Sequence, residues 1–187
     1  RGGGNSNNWV VLIVAIVVVG GGAVALVSGG IGGESLPPIS PADGESSIPD
    51  FKLSVSQGEE ILGGEGIQFS DVMALGKSVV LNFWAGLCPP CRAEMPGFQQ
   101  VYEANSDDFI LLGVDVGRFT GLGSTRDGAR LLSELGITYP IATVSNSRSV
   151  RDYSVRSMPT TIFIAADGTI HRRVSGAVNA AAMEDMV

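Results

Sequence analysis

The sequence predicts an α/β domain with a mixed sheet flanked by helices, preceded by one apolar segment long enough to cross a membrane. Three observations carry that reading. Short, unbroken apolar runs alternate with helix-periodic stretches after residue 50, the pattern of a sheet covered by helices. Asp167-Gly168 separates two strand-like runs near the C-terminus, a hairpin signal that adds antiparallel pairing. Residues 9–27 are almost wholly apolar and uncharged, and about 20 such residues span a bilayer.

In chain order, residues 1–8 read as a short tail and 9–31 as a transmembrane helix or signal anchor, with Trp9 suited to the membrane–water interface. Arg1 precedes the run, whereas Glu34, Asp43 and Glu45 follow it, which favours an inside N-terminus. The competing reading is a cleaved signal peptide, because Ala23-Val24-Ala25 resembles a small-residue cleavage site. Continuation of the apolar run beyond that site favours the anchor. Either way the remainder is expected on the extracytoplasmic side of the cell membrane, held by a single pass in the anchor reading. No cysteine follows the run closely, so lipid attachment there is excluded. Residues 32–50 are rich in Gly, Ser and Pro and read as a flexible linker. The folded domain is expected over 51–187. The chain opens on Arg1 and stops soon after a final helix begins, so both ends are expected to be incomplete.

Within the domain, the alternation over 51–55 predicts a strand, and Gly63-Gly64-Glu65-Gly66 a turn. Ser70 is placed to cap a short helix over 71–75, stopped by Gly76. The apolar run 79–84 predicts a buried strand, followed by a helix over about 89–104 that Pro96 should kink. A second buried strand is expected over 109–116, then a glycine-bearing loop over 117–125. Helical periodicity over 126–135 ends at Gly136. A strand over 139–144, a short helix over 149–153 and a hairpin of 160–166 with 169–174 complete the domain.

Composition excludes several function classes. The formal net charge is −7, with 19 acidic and 12 basic residues and no basic run, which argues against nucleic acid as a partner. Two cysteines cannot build a disulfide-rich scaffold. With His171 as the sole histidine they cannot build a four-ligand zinc site either. No metal site is expected.

The two cysteines are Cys88 and Cys91, separated by Pro89-Pro90 at the junction of the 79–84 strand and the next helix. This spacing lets a disulfide close and reopen within one helical turn. A sulfur at a helix N-terminus meets free N–H groups and the positive end of the dipole, which stabilise a thiolate. If Cys88 caps the helix, the Cys91 N–H reaches its sulfur; Cys88 is then the attacking thiol and Cys91, one turn deeper, the resolving one. Pro89 suits the first helical position, where its missing N–H is no loss. Pro90 removes a further donor and stiffens the loop. Glu94 lies on the same helical face as Cys91, where it is either a proton acceptor or a solvated side chain.

The segment from Asn82-Phe83-Trp84-Ala85 through Cys88-Pro89-Pro90-Cys91-Arg92-Ala93-Glu94-Met95-Pro96 resembles the active-site segment of thioredoxin-like proteins. More closely, it is similar to the membrane-anchored thiol–disulfide oxidoreductases of the ResA, TlpA and cytochrome c maturation group, within the AhpC/TSA-redoxin superfamily. Met158-Pro159-Thr160-Thr161 resembles the cis-proline strand of that family, and Asp167-Gly168 follows as its pattern expects. Three departures stand out: Leu87 replaces a frequent tryptophan, Asn82 stands where thioredoxin carries a buried aspartate, and the final helix is short.

The resemblance implies a thioredoxin-like fold and a protein-disulfide reductase that needs no organic cofactor, its redox centre being the Cys88–Cys91 pair. It implies a catalytic part for Glu94 and for a cis-Pro159, and places Trp84, Pro89, Pro90, Met158 and Thr160 against the substrate. Implied partners are protein thiol and disulfide clients, such as apocytochrome c or a copper-site protein, and a membrane electron donor. Two other readings compete. A tethered copper chaperone would use the cysteines and His171 on a soft ion. A peroxidase of the peroxiredoxin branch would need a threonine-bearing loop before Cys88, which this chain lacks.

Overall fold

The computed structural model describes residues 48–187. The expected tail, membrane span and linker up to residue 47 lie outside the described residues. Among the described residues no helix is long and apolar enough to cross a membrane.

Seven strands form one sheet. In chain order they are β1 (Lys52–Gln57), β2 (Gly66–Gln68), β3 (Ser78–Trp84), β4 (Phe109–Asp115), β5 (Ile141–Thr143), β6 (Thr160–Ile164) and β7 (Ile170–Ser175), arranged as β2-β1-β5-β4-β3-β6-β7. β3, β4 and β5 run parallel, while β1 and β6 pair antiparallel to β5 and β3. The sheet is therefore mixed, as the sequence predicts. The helices are α1 (Glu59–Leu62), α2 (Phe69–Met73), α3 (Pro89–Asn105), α4 (Gly117–Thr120), α5 (Thr125–Leu135), α6 (Arg148–Asp152) and α7 (Ala180–Glu184).

The period-two pleat of β3 divides the core. Val79, Leu81 and Phe83 face one layer with Phe51, Phe69 and Tyr153. Val80 and Trp84 face the other, with both cysteines, Met95 and Phe98. Each such fully buried side chain contributes about 1.5–3 kcal/mol, so β3 is firmly held just before the chain turns into Cys88. Gly113, paired with Asn82, is required beneath the Trp84 ring: a Cβ there would lie 2.7 Å from Ile141 Cδ1 and 3.0 Å from Trp84 Nε1.

Several boundaries differ from expectation. α2 begins before Ser70, because Gln68 and Asp71 form a reciprocal capping box and Phe69 is drawn into the core. The Ser70 hydroxyl instead donates to Asp50 at 3.0 Å. The loop after β4 contains α4, and α1 and β2 add a turn of helix and a strand around the glycine-rich turn. β5 is shorter than 139–144, since Pro140 has no N–H to give a ladder. α3 runs as one helix through Pro96, which is exposed. The 126–135 helix and its stop are found nearly as expected: Ser124 caps α5 and Gly136 adopts the left-handed conformation at its end.

Candidate active site

Cys88 ends the turn after β3 and is the N-cap of α3. Pro89 and Pro90 occupy the first helical positions, where backbone N–H groups have no intrahelical acceptor. The first free donor is the Cys91 N–H, and it donates to the Cys88 sulfur at 3.2 Å. The two sulfurs are bonded, with Cα atoms 5.3 Å apart.

The loop before Cys88 is fastened from below. Val116 N–H donates to the Trp84 carbonyl at 3.0 Å, and Leu87 N–H to the Leu122 carbonyl at 2.8 Å. A side chain at Gly86 would collide with the Asp127–Gly128 backbone, so the loop lies directly on the first turn of α5. Cys88 is only 2 % exposed in this disulfide-bonded state. The sulfur at the helix N-terminus is thus nearly covered, within the core cluster that holds Trp84 and Cys91. A groove of about 400 Å³ opens beside it, lined by Leu87, Pro89, Arg92, Arg130, Leu131 and Glu134. Leu87, at 52 % exposed, forms an apolar rim.

Glu94 is 3 % exposed, so the reading of a solvated side chain is overturned. It sits on the buried stripe of α3 formed by Cys91, Glu94, Met95 and Phe98. Asn82 Nδ2 donates to one of its oxygens and Val178 N–H to the other, both at 2.9 Å. Asn82 also donates to Thr161 Oγ1 at 2.9 Å, which ties α3, β3 and β6 together. Burial pushes the Glu94 carboxyl up to about 7, against the opposing pull of the Val178 and Asn82 donors. A group poised near neutrality can take and return a proton at ordinary pH.

The Met158–Pro159 bond is cis. Because β6 runs antiparallel to β3, its first residues lie at the same end of the sheet as Cys88. Pro159 is buried, and half-buried Met158 packs against the cluster that contains both cysteines. Pro89 and Pro90 are exposed. Two expected substrate contacts are corrected. Trp84 is fully buried and supports the disulfide from beneath. Thr160 is 1 % exposed, and its hydroxyl donates to the Ser157 carbonyl at 2.7 Å, shaping the loop before Pro159.

Sequence reasoning assigned no role to Thr161, Val178 or Asp115. Asp115 is the β3-facing partner of Trp84 at the end of β4, 5 % exposed, and accepts from Gly117 N–H at 2.9 Å. Burial raises its proton affinity, partly offset by the Gly117 donor and the Arg118 charge. The signal was available: Asn82 and Asp115 are the polar residues that interrupt two otherwise apolar strand runs. His171 stands at the start of β7, where Ile170 pairs with Ile164 at the far end of β6. It is therefore not gathered with the cysteines, and the ligand set of a copper chaperone is not assembled. Among the described residues no group of three or more His, Cys, Asp or Glu is placed to hold a metal ion.

Thiol-disulfide oxidoreductase ResA of Oceanobacillus iheyensis is 34% identical over 132 residues, covering 71% of this chain and 65% of that protein, so the chain spans slightly under two thirds of its length. The ResA of Geobacillus thermodenitrificans is 30% identical over 132 residues, with 70% and 68% covered. Among solved structures, StoA from Bacillus subtilis superposes with a TM-score of 0.60 at 24% identity, over 74% of this chain and 96% of that one, and shows the shared thioredoxin-like fold. The sequence profile of the AhpC/TSA family matches residues 45–173, and the chain belongs to that family.

Proposed function

We propose that this protein is an extracytoplasmic thiol–disulfide oxidoreductase acting as a reductase of protein disulfides. The observation that carries the reading is the Cys88–Cys91 pair capping α3, with the Cys91 N–H on the Cys88 sulfur and a cis-proline at the same end of the sheet. The names of the ResA relatives support it, and the apolar run over 9–27 supports an anchored, extracytoplasmic domain.

In the reduced protein the Cys88 thiolate attacks one sulfur of a client disulfide. A Cys88–client bond forms, the client bond breaks, and the second client sulfur leaves as a thiolate. Cys91 then gives its proton to the Glu94 carboxylate, directly or through water, and attacks the Cys88 sulfur. The Cys88–Cys91 bond forms, the client is released as a dithiol, and two electrons have passed to it. An external dithiol, such as a membrane-bound thiol reductase, restores the reduced pair. Apocytochrome c and copper-site proteins are clients of matching chemistry.

The test is capture of the intermediate. With Cys91→Ser the resolving step is lost, and reduced protein mixed with a disulfide-bonded protein such as insulin should accumulate a Cys88-linked adduct that dithiothreitol releases. Absence of the adduct, together with no insulin reduction by the unaltered protein, overturns the reading.

A further inference from the structure

Charge is distributed unevenly between the two ends of the sheet. The parallel β3, β4 and β5 end where the antiparallel β1 and β6 begin. The disulfide, α4, α6 and the loop into Pro159 therefore share one end. That end carries Arg118 on α4, Arg148 and Arg151 on α6, and Arg156 two residues before Met158, all exposed. The opposite end carries exposed Glu60 and Glu65 after β1 and Asp107 and Asp108 before β4, against half-buried Lys77 before β3 and exposed Arg172 on β7. A chain of net charge −7 thus presents these cations at the end of the sheet that holds its disulfide.

These arginines are not consumed by internal pairing. The ion pairs found among the described residues involve Arg92 and Arg130. Arg118 is positioned by the Ser145 carbonyl, which accepts its Nη2 at 3.2 Å, and lies 4.6 Å over the Phe119 ring. Arg151 donates to Ser147 Oγ at 2.7 Å. The acids at this end are Asp50, Asp115, Asp127 and Asp152: Asp50 is engaged by Phe51 and Ser70, Asp115 is buried, accepts from Gly117 N–H and feels the Arg118 charge, and Asp127 is engaged by Ser124 and Arg130.

Resting on the redox reading above, we propose that this arginine-bearing face selects protein clients with acidic residues flanking their disulfide. Arg156 lies in the segment that leads from α6 into the cis Met158–Pro159 bond. An extended client lying along that loop would carry its carboxylates over Arg156, Arg148 and Arg118. Such complementarity raises encounter rates by about 10–10³-fold and weakens with salt.

The test uses the reduced full chain in neutral detergent and three peptides of equal length. Each has one internal disulfide flanked by Glu, Gln or Lys. The Glu peptide should be reduced at least about tenfold faster than the Lys peptide at low ionic strength, and the gap should close in 0.5 M salt. Arg148→Glu with Arg156→Glu should invert the order relative to the Gln peptide, whereas Asp107→Arg at the opposite end should not. Equal rates for the Glu and Lys peptides, or a gap indifferent to salt, overturn the proposal while leaving the redox function standing. Failure to reduce even the Gln peptide overturns both. Salt-sensitive binding to anionic vesicles without any preference among peptides identifies the face as a lipid surface and overturns the client assignment.

Discussion

Glu94→Gln tests the candidate mechanism and the physics of the site together. The Glu94 carboxyl has an ordinary value of 4.5 and is raised to about 7 by burial in the folded protein. The folded chain therefore holds this proton more tightly than the unfolded chain. The stability this confers is fully present below about pH 4.5 and is lost as pH rises through about 7. At about 1.4 kcal/mol per pH unit, the difference amounts to about 3 kcal/mol. Glutamine does not ionise, but it offers one acceptor where the carboxylate receives both Asn82 Nδ2 and Val178 N–H. The protonated acid still keeps a lone pair on its hydroxyl oxygen, whereas the amide NH2 accepts nothing, so the variant should lose about 1 kcal/mol from that mismatch on both sides of the titration. It should thus be less stable than the parent at pH 4.5 and more stable above pH 8. Urea denaturation of the two oxidised proteins across this range reads the difference, in which other titrating groups largely cancel. Stopped-flow disulfide exchange should also lose its inflection near neutral pH, with a rate deficit of up to about 10²–10⁴-fold. A pH-independent stability difference refutes the burial argument; superimposed exchange profiles refute the proton-transfer role.

Two further outcomes follow from the packing around the disulfide. In the reduced protein, Cys88 should alkylate before Cys91, since Cys88 caps the helix beside an open groove and Cys91 has no exposed surface; mass-spectrometric mapping that finds equal or faster labelling of Cys91 refutes the assignment. Gly128→Ala should destabilise the fold by about 1–3 kcal/mol, because a Cβ there would meet the Asp115 carboxylate and lie 3.3 Å from the Trp84 ring; an unchanged thermal midpoint refutes the close packing.

What could be read from the sequence was set by local chemistry. The strand into Cys88, the proline-led helix and the hairpin each leave a contiguous signature, and each is found. The partners of Glu94 do not, because Asn82, Thr161 and Val178 are brought together by β3, β6 and the segment before α7. Glu94 falls three residues from Cys91 and four from Phe98 on one stripe of α3, but that spacing alone left a solvated side chain equally open. The substrate contact that the resemblance implied for Trp84 is not found, because Gly113 leaves a space in β4 that takes the ring inward. Ser70 has the chemistry of a cap, yet burial of Phe69 moves the helix start and gives the cap to Gln68.

The restraint on Cys88 and the proposed attraction of acidic clients rest on different interactions. Three contacts fix the sulfur: the Val116–Trp84 and Leu87–Leu122 backbone bonds, and the contact of Gly86 with Asp127–Gly128. Asp115 adds to this by holding Gly117 at the start of the supporting loop. All are short-range and largely shielded from ions. The Arg92–Glu134 pair at the groove is half exposed on both sides, and such pairs contribute about 0–1 kcal/mol. The arginines near the cis-proline loop act through solvent, where screening sets in over about 8 Å at physiological salt. Raising salt should therefore slow the encounter with a charged client without loosening the disulfide or its helix cap. Exchange with a neutral disulfide should be nearly indifferent to salt, because the geometry that activates Cys88 is built from backbone donors and close-packed glycine rather than from surface charge.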